Sequence, residues 1–351
     1  MDPAAISPLS TPASFDRRFE PAQRVLNEAI LAHTFPGCAF GVLVQNQIVF
    51  QGALGRFTYD PDAPLVQPNT VFDIASLTKV VATTAAAMLL YQRGQLDLDT
   101  PLGELLPGFI IGRAPQEHAR QVTLRHLLAH NSGLPGYVEF FRAAATPAAL
   151  YRACLTLPVE AEPGTRAEYS DPGMNASLFC PAPAQRLAIP PTEEDTTFRH
   201  RRIQGEVQDE NAFILKGAAG HAGLFSNVPD LLRFAAEVLA GSESPALTPP
   251  ATSPLFDPAT IDFFSQKQGP AASSRALGWD TPSQPSSSGT LFSPRSIGHL
   301  GYSGCSLWID LHAHIAIALL TNRTWPDRSP ASAESIRLVR PAFHNAVRSA
   351  L

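Results

Sequence analysis

The stretch Phe72-Asp73-Ile74-Ala75-Ser76-Leu77-Thr78-Lys79 places a serine three positions before a lysine, at the point where an apolar helix begins. Side chains three residues apart share one face of a helix, so the Lys79 amine can lie against the Ser76 hydroxyl. A serine hydroxyl is a weak nucleophile until a neighbouring group takes its proton, and a helix N-terminus favours the negative charge that then develops. The spacing therefore predicts a nucleophile with its activating partner.

Lysine is scarce in this sequence, and Lys79, Lys216 and Lys267 are the only lysines among 26 basic residues. Lys79 also stands in an apolar segment. An amine can lose its charge on burial, which a guanidinium cannot, so a lysine here favours a catalytic role. The alternative, an ordinary helix start with a solvated lysine, shows the same short pattern.

Composition excludes several classes of protein. The chain has 351 residues, of which 44% are hydrophobic and 16% charged, as expected for a packed globular protein. Its 26 basic and 31 acidic residues give a net charge of −5, so neither a nucleic acid nor an anionic membrane surface is an expected partner. No apolar run is long enough to cross a bilayer, and no export signal is visible in the first fifteen residues. We therefore expect a cytoplasmic protein.

Apolar periodicity and turn residues predict six helices and five strands. The helices are expected over Phe19–His33, Ser76–Gly94, Thr123–His130, Thr146–Leu155, Pro229–Ala240 and Glu334–Ala350, and the strands over Cys38–Val44, Ile48–Gly55, Ser296–Tyr302, Cys305–Asp310 and His314–Thr321. Two segments, the charged residues 193–202 and the Pro- and Ser-rich stretch from 241 to about 290, are expected to be exposed loops.

This order of elements predicts an α+β fold, an α/β/α sandwich in which the N- and C-terminal helices flank an antiparallel sheet and the middle of the chain forms a helical lobe. We expect a leader over residues 1–14 and a single domain over 15–351. Within that domain, the sheet lobe would comprise about 15–70 and 290–351, and the helical lobe about 71–289.

Three motifs in order resemble those of the serine β-lactamase and penicillin-binding-protein superfamily. They are Ser76–Lys79 as S-x-x-K, Tyr169-Ser170-Asp171 in place of Y-x-N, and His299-Leu300-Gly301 where K-T-G or H-x-G is expected. The segments Leu127–Pro135 and Gly220–Ser226 add supporting matches. The chain is thus identified as similar to the class C-like branch of esterases, D-amino-acid peptidases and β-lactamase-related hydrolases, over about residues 15–350.

The resemblance implies a role for each motif. Ser76 would attack a carbonyl, Tyr169 together with Lys79 would take its proton, and the backbone N–H groups of Ser76 and Tyr302 would stabilise the oxyanion. A phenol has an ordinary pKa near 10, so the pKa of Tyr169 must fall for it to act as a base, and a nearby lysine cation would lower it. A β-lactamase/transpeptidase-like fold follows from the same resemblance.

The remaining motif residues are assigned from their chemistry. Gly301 would let a substrate backbone approach the strand edge, and His299 could donate or accept a hydrogen bond. Asp171 replaces an amide that can donate, whereas a carboxylate only accepts, so Asp171 is expected to steady Lys79. Because a lysine would bind a substrate carboxylate more firmly than His299 does, an ester or a small amide or peptide is the favoured substrate.

The sequence departs from the family after Asp171, where a long helix and a short one are missing and Pro172-Gly173 follows at once. Such a deletion would leave Tyr169 loosely held, which lowers a reaction rate. Two alternatives to the acyl-enzyme hydrolase therefore stay open: a catalytically weak or inert protein with a binding or regulatory role, and a true β-lactamase or D,D-carboxypeptidase. No metal and no organic cofactor is expected for any of them.

Overall fold

The computed structural model describes residues 16–114, 117–166, 180–242 and 254–351. The strands are β1 (Gly37–Val44), β2 (Gln47–Gly55), β3 (Phe72–Asp73), β4 (Pro191–Asp195), β5 (Arg201–Gln204), β6 (Phe225–Ser226), β7 (Ser296–Leu300), β8 (Ser306–Asp310) and β9 (Ile315–Thr321). The α-helices are α1 (Glu20–Leu31), α2 (Ala85–Gln92), α3 (Leu102–Leu105), α4 (Leu124–Leu128), α5 (Pro147–Leu155), α6 (Glu210–Ile214), α7 (Val228–Ser242), α8 (Pro258–Ser265) and α9 (Pro330–Ser349). A π-helical turn, Lys79–Thr84, leads into α2.

Five strands form one antiparallel sheet in the order β2-β1-β9-β8-β7. The strands β1, β8 and β9 are buried on both faces of the sheet. Successive side chains of a strand point to opposite sides, so each face packs against a different layer. In β9, Ile315, Ile317 and Leu319 pack with α1 and α9, whereas Ala316, Ala318 and Leu320 face α7 and the helical part of the chain. The resulting layers are helix, sheet and helix, as the α+β prediction requires.

The predicted helices and strands are confirmed, with ends that differ by a few residues. In the hairpins of this sheet, Cys38 of β1 pairs with Leu54 of β2, and β7 pairs with β8. The predicted leader over 1–14 and the shortened segment after Asp171 lie outside the described residues. Among the helices that the structure describes, none is long and apolar enough to span a lipid bilayer.

Two predicted loops are wrong. Residues 193–202 contain most of the β4–β5 hairpin, and the side chains of Arg199, Glu193 and Asp195 are at most 5% exposed. The guanidinium of Arg199 binds both carboxylates there, which removes the reason to expect a solvated surface. In the stretch from 241 to 290, α8 forms and Trp279 is fully buried, because sparse apolar residues in a Pro- and Ser-rich segment still pack against α7.

Candidate active site

The backbone just before Ser76 is held in an unusual conformation. Ala75 has a φ of +46°, a left-handed value that residues with a Cβ rarely adopt and that is often found at functional sites. The buried carboxylate of Asp73 accepts a hydrogen bond from the Ala75 N–H at 2.9 Å and one from the Gln208 N–H at 2.8 Å. Burial raises the pKa of Asp73 to about 6. These contacts turn the chain sharply between β3 and the helix that carries Lys79.

Ser76 and Lys79 meet as the spacing predicts. The Lys79 Nζ lies 3.2 Å from the Ser76 Oγ and 3.2 Å from the backbone carbonyl oxygen of His221. Lys79 is 6% exposed and begins the π-helical turn, an irregularity that is frequent at functional sites. The amine is therefore desolvated beside the hydroxyl, in the arrangement that activates a serine.

The segment Gly220–Ser226 closes over this helix start. The Leu224 carbonyl oxygen accepts from the Ile74 N–H at 3.1 Å, and the Leu224 N–H donates to the Thr78 hydroxyl at 3.1 Å. In the sequence this segment is only a supporting match to the family motifs. The structure shows that it supplies an acceptor for Lys79, which is the backbone carbonyl oxygen of His221. The side chain of His221 is buried, and its ring Nε2 lies 3.0 Å from the Asp209 Oδ1.

The third motif lies at the end of β7 and lines the cavity that also borders Ser76. His299 is 2% exposed, and its Nδ1 donates to the Leu300 carbonyl oxygen at 2.8 Å. Burial, followed by the positive charges of Arg275, Lys79 and His130, holds the pKa of His299 well below its usual range. A neutral imidazole with its proton on Nδ1 can only accept at Nε2. His299 is therefore expected to accept a hydrogen bond at Nε2 and not to donate one there.

Gly301 is required by the packing of the chain itself, and its expected role toward a substrate backbone stays a prediction. A Cβ at this position would lie 2.6 Å from the Ile74 carbonyl oxygen and 3.0 Å from the Cys305 Cβ. The close approach therefore comes from the segment that precedes Ser76, and it brings the 301–302 turn against the nucleophile. Arg340 fixes that turn by donating to the carbonyl oxygens of Gly301, Gly304 and Cys305.

Ser76 and Tyr302, whose backbone N–H groups are assigned to the oxyanion by the resemblance, both line one cavity. Neither of their backbone N–H groups donates a hydrogen bond to an acceptor within the ranges that the structure describes. Preorganised N–H donors aimed at a developing negative charge are the usual means of stabilising a tetrahedral intermediate. The assignment of these two N–H groups to the oxyanion stays a prediction.

A cavity of about 880 Å³ opens beside Ser76. Among its walls are charged groups of both signs, which are Asp73, Glu139, Asp209, Glu210, Asp280, Arg275, Arg323, Arg328, Arg337 and Arg340. Its size suits a small organic molecule or a short peptide. No sequence motif marks these arginines, because they come from the loop after β9, from α9 and from residue 275, which approach Ser76 only in the fold.

Arg323 is a buried cation at the wall of this cavity. It is 4% exposed and its guanidinium lies 4.5 Å from the centroid of the Tyr302 ring. No carboxylate of the described residues comes within ion-pair distance of it, whereas Arg328 binds both Glu193 and Glu210. Burial, together with the neighbouring charges of Arg328 and Arg337, lowers the pKa of Arg323. A buried cation in this state favours a negative group in the cavity.

Two predicted site residues, Tyr169 and Asp171, lie outside the described residues. Their assignments to proton transfer and to the support of Lys79 therefore stay predictions. Within the described ranges, no group of three or more His, Cys, Asp or Glu side chains is arranged to hold a metal ion.

The chain is similar in sequence to known proteins. The Beta-lactamase family model matches residues 15–179 and 180–340. A candidate D-alanyl-D-alanine carboxypeptidase of Escherichia coli K12 is 27% identical over 371 residues, covering 87% of this chain and 83% of the relative. An N-acetylmuramyl-L-alanine amidase of Bacillus subtilis strain 168 is also 27% identical, over 361 residues, covering 84% and 79%.

Solved structures share the fold. A penicillin-binding-protein homologue from Caulobacter crescentus has a TM-score of 0.67 at 15% identity, covering 97% of this chain and 99% of the homologue. EstCE1, a hydrolase with promiscuous acyltransferase activity, has a TM-score of 0.65 at 17% identity, covering 93% and 99%. The three-layer fold, the family match over most of the chain and the serine–lysine pair at a helix start together show that this chain belongs to the β-lactamase family of the serine β-lactamase and penicillin-binding-protein superfamily.

Proposed function

We propose that the chain is a serine hydrolase that forms an acyl-enzyme at Ser76 and acts on an ester or a small amide or peptide. The observation that carries the proposal is the 3.2 Å contact between the Lys79 Nζ and the Ser76 Oγ at the wall of a cavity of about 880 Å³. An amine in contact with a serine hydroxyl beside a substrate-sized space is the arrangement that nucleophilic catalysis needs.

The reaction proceeds in two steps. The Ser76 Oγ attacks the substrate carbonyl carbon while its proton passes to Tyr169, whose pKa the Lys79 cation lowers, and the N–H groups of Ser76 and Tyr302 stabilise the oxyanion. Collapse of the intermediate breaks the bond to the leaving alcohol or amine, which takes the proton. Water then hydrolyses the acyl-serine ester and regenerates the hydroxyl. The Nε2 of His299 contributes an acceptor for a substrate N–H or for that water.

Labelling with a fluorophosphonate probe tests the proposal. We expect one probe adduct on the wild type by intact-protein mass spectrometry, located on Ser76, and none on Ser76→Ala. Ser283→Ala, which changes an exposed serine of a loop, is the matched control and should label like the wild type. Absence of any adduct on the folded wild type would favour the inert alternative.

Turnover of two substrate classes separates the hydrolase types. We expect the protein to hydrolyse a p-nitrophenyl ester faster than nitrocefin. Comparable rates for the two would contradict the ester preference and favour a β-lactamase.

Arg323 favours a second candidate, an amidase or carboxypeptidase whose substrate carries a carboxylate. The names of the E. coli and B. subtilis relatives are compatible with it. The p-nitrophenyl monoester of glutaric acid and its methyl-capped counterpart differ only in that charge. If the carboxylate binds Arg323, Arg323→Met should raise the KM of the acid roughly 10- to 100-fold and leave the KM of the methyl ester nearly unchanged. An equal change for both substrates would reject this candidate.

A further inference from the structure

Three contacts connect the nucleophile to a carboxylate on a different segment of the chain. The Ser76 Oγ lies 3.2 Å from the Lys79 Nζ, which lies 3.2 Å from the His221 carbonyl oxygen. The ring Nε2 of the same histidine lies 3.0 Å from the Asp209 Oδ1. Because a carboxylate only accepts, Nε2 is the donor in that contact. One residue therefore binds Lys79 through its backbone and Asp209 through its side chain.

Asp209 is itself held in place by the helix that follows it. It is the N-cap of α6, where its Oδ1 accepts from the Ala212 N–H at 2.7 Å. His221 is 2% exposed, and the loop around it is fixed by the Thr83 hydroxyl, which donates to the Gly220 carbonyl oxygen. The direction of the His221 carbonyl is thus set from both sides.

We propose that Asp209 and His221 are positioning residues for Lys79, with the side-chain contact between them holding the His221 carbonyl in the place where it accepts from the amine. The proposal rests on the proposed function, because the position of Lys79 affects catalysis only if Ser76 is the nucleophile. Neither residue needs to contact the substrate for this role.

The charges of the site agree with this arrangement. Although burial acts to raise it, the pKa of Asp209 is lowered to about 2, because the carboxylate faces His221, accepts hydrogen bonds from the His221 ring and the Ala212 N–H, and is attracted to the Lys79 amine. The same attraction acts in reverse and stabilises the protonated form of Lys79. Other titratable groups close to this pair are Asp73 and Glu210 on the side of Asp209 and His299 and His130 on the side of Lys79, and they stay in place in every variant used below.

The small number of lysines allows the role to be measured without catalysis. Protein labelled with 13C at lysine Cε gives signals from Lys79, Lys216 and Lys267 alone, which Lys216→Arg and Lys267→Arg assign. In Asp209→Asn, which keeps a side chain that caps helices well, we expect the titration midpoint of Lys79 to fall by roughly 1 pH unit. Asp257→Asn removes the equivalent N-cap carboxylate of α8 and should leave that midpoint unchanged.

The rate of fluorophosphonate labelling gives the second measurement. Asp209→Asn and His221→Leu should label Ser76 roughly 10- to 100-fold more slowly, with the pH profile of Asp209→Asn displaced to lower pH. His221→Gln keeps a donor at the position of Nε2 and should recover most of the rate. A merely structural role would lower the rate equally at every pH.

An unchanged Lys79 midpoint in Asp209→Asn would overturn the proposal, and so would wild-type labelling by His221→Leu. If the folded wild type takes up no probe, the proposed hydrolase function fails, while the lysine titration still decides whether Asp209 and His221 act on Lys79.

Discussion

Substitution of Gly301 by alanine tests whether the 301–302 turn and Ser76 form one site. The added Cβ would lie 2.6 Å from the Ile74 carbonyl oxygen, and an ordinary contact begins at 3.4 Å. One of the two backbone segments must therefore move by about 0.8 Å, the difference between those distances. Because a misplacement of about 1 Å costs about 100-fold in rate, we expect fluorophosphonate labelling of Ser76 to slow by roughly 30- to 100-fold.

Gly108→Ala is the control for this experiment. Its Cβ would meet only the end of the Leu155 side chain, at 2.9 Å, which can turn aside. The assay is the second-order rate constant of labelling by intact-protein mass spectrometry, with circular dichroism to show that each variant is folded. A folded Gly301→Ala protein that labels at the wild-type rate would refute the idea that this turn supplies part of the oxyanion site.

Three further predictions concern stability and reactivity. Arg199→Met leaves the Glu193 and Asp195 carboxylates buried without their cation, so urea unfolding should show a free energy of unfolding lowered by about 3–5 kcal/mol. Arg202→Met removes an exposed ion pair and should lower it by less than about 1 kcal/mol. Equal losses would contradict the assignment of a buried network. The pKa of Asp209 is about 2 in the folded protein and 3.8 ordinarily, so the stability that the ionised carboxylate contributes is present above pH 4 and is lost as the pH falls toward 2. Over that range the free energy of unfolding of the wild type should fall by about 2 kcal/mol more than that of Asp209→Asn. Parallel acid unfolding curves for the two proteins would contradict this prediction. Burial raises the pKa of Cys305 to about 11, so Ellman's reagent should modify exposed Cys180 in the native protein and Cys305 only after unfolding. Peptide mapping shows which cysteine has reacted. Modification of Cys305 in the native protein would be inconsistent with the packed core.

Local patterns were sufficient for most of the fold. The strands of the large sheet are near-continuous apolar runs and the long helices have clear periodicity, so their type and order could be read directly, as could the contact between Ser76 and Lys79, one helical turn apart. The β4–β5 hairpin was missed because its charged residues look solvated when each is considered alone. Arg199 is buried only because Glu193, Asp195 and the carbonyl oxygens of Val207 and Gln208 surround it in three dimensions.

The sequence by itself determined the family, the sheet and helix order and the serine–lysine pair, since each depends on residues close together in the chain. Only the tertiary structure decided what surrounds that pair. An acceptor for Lys79 comes from His221, and a buried cation of the cavity comes from Arg323, both more than a hundred residues away. The neutral state of His299 likewise results from burial and from neighbouring charges that no local spacing encodes. Contacts between distant segments depend on how the layers pack, so no local pattern of residues determines these features.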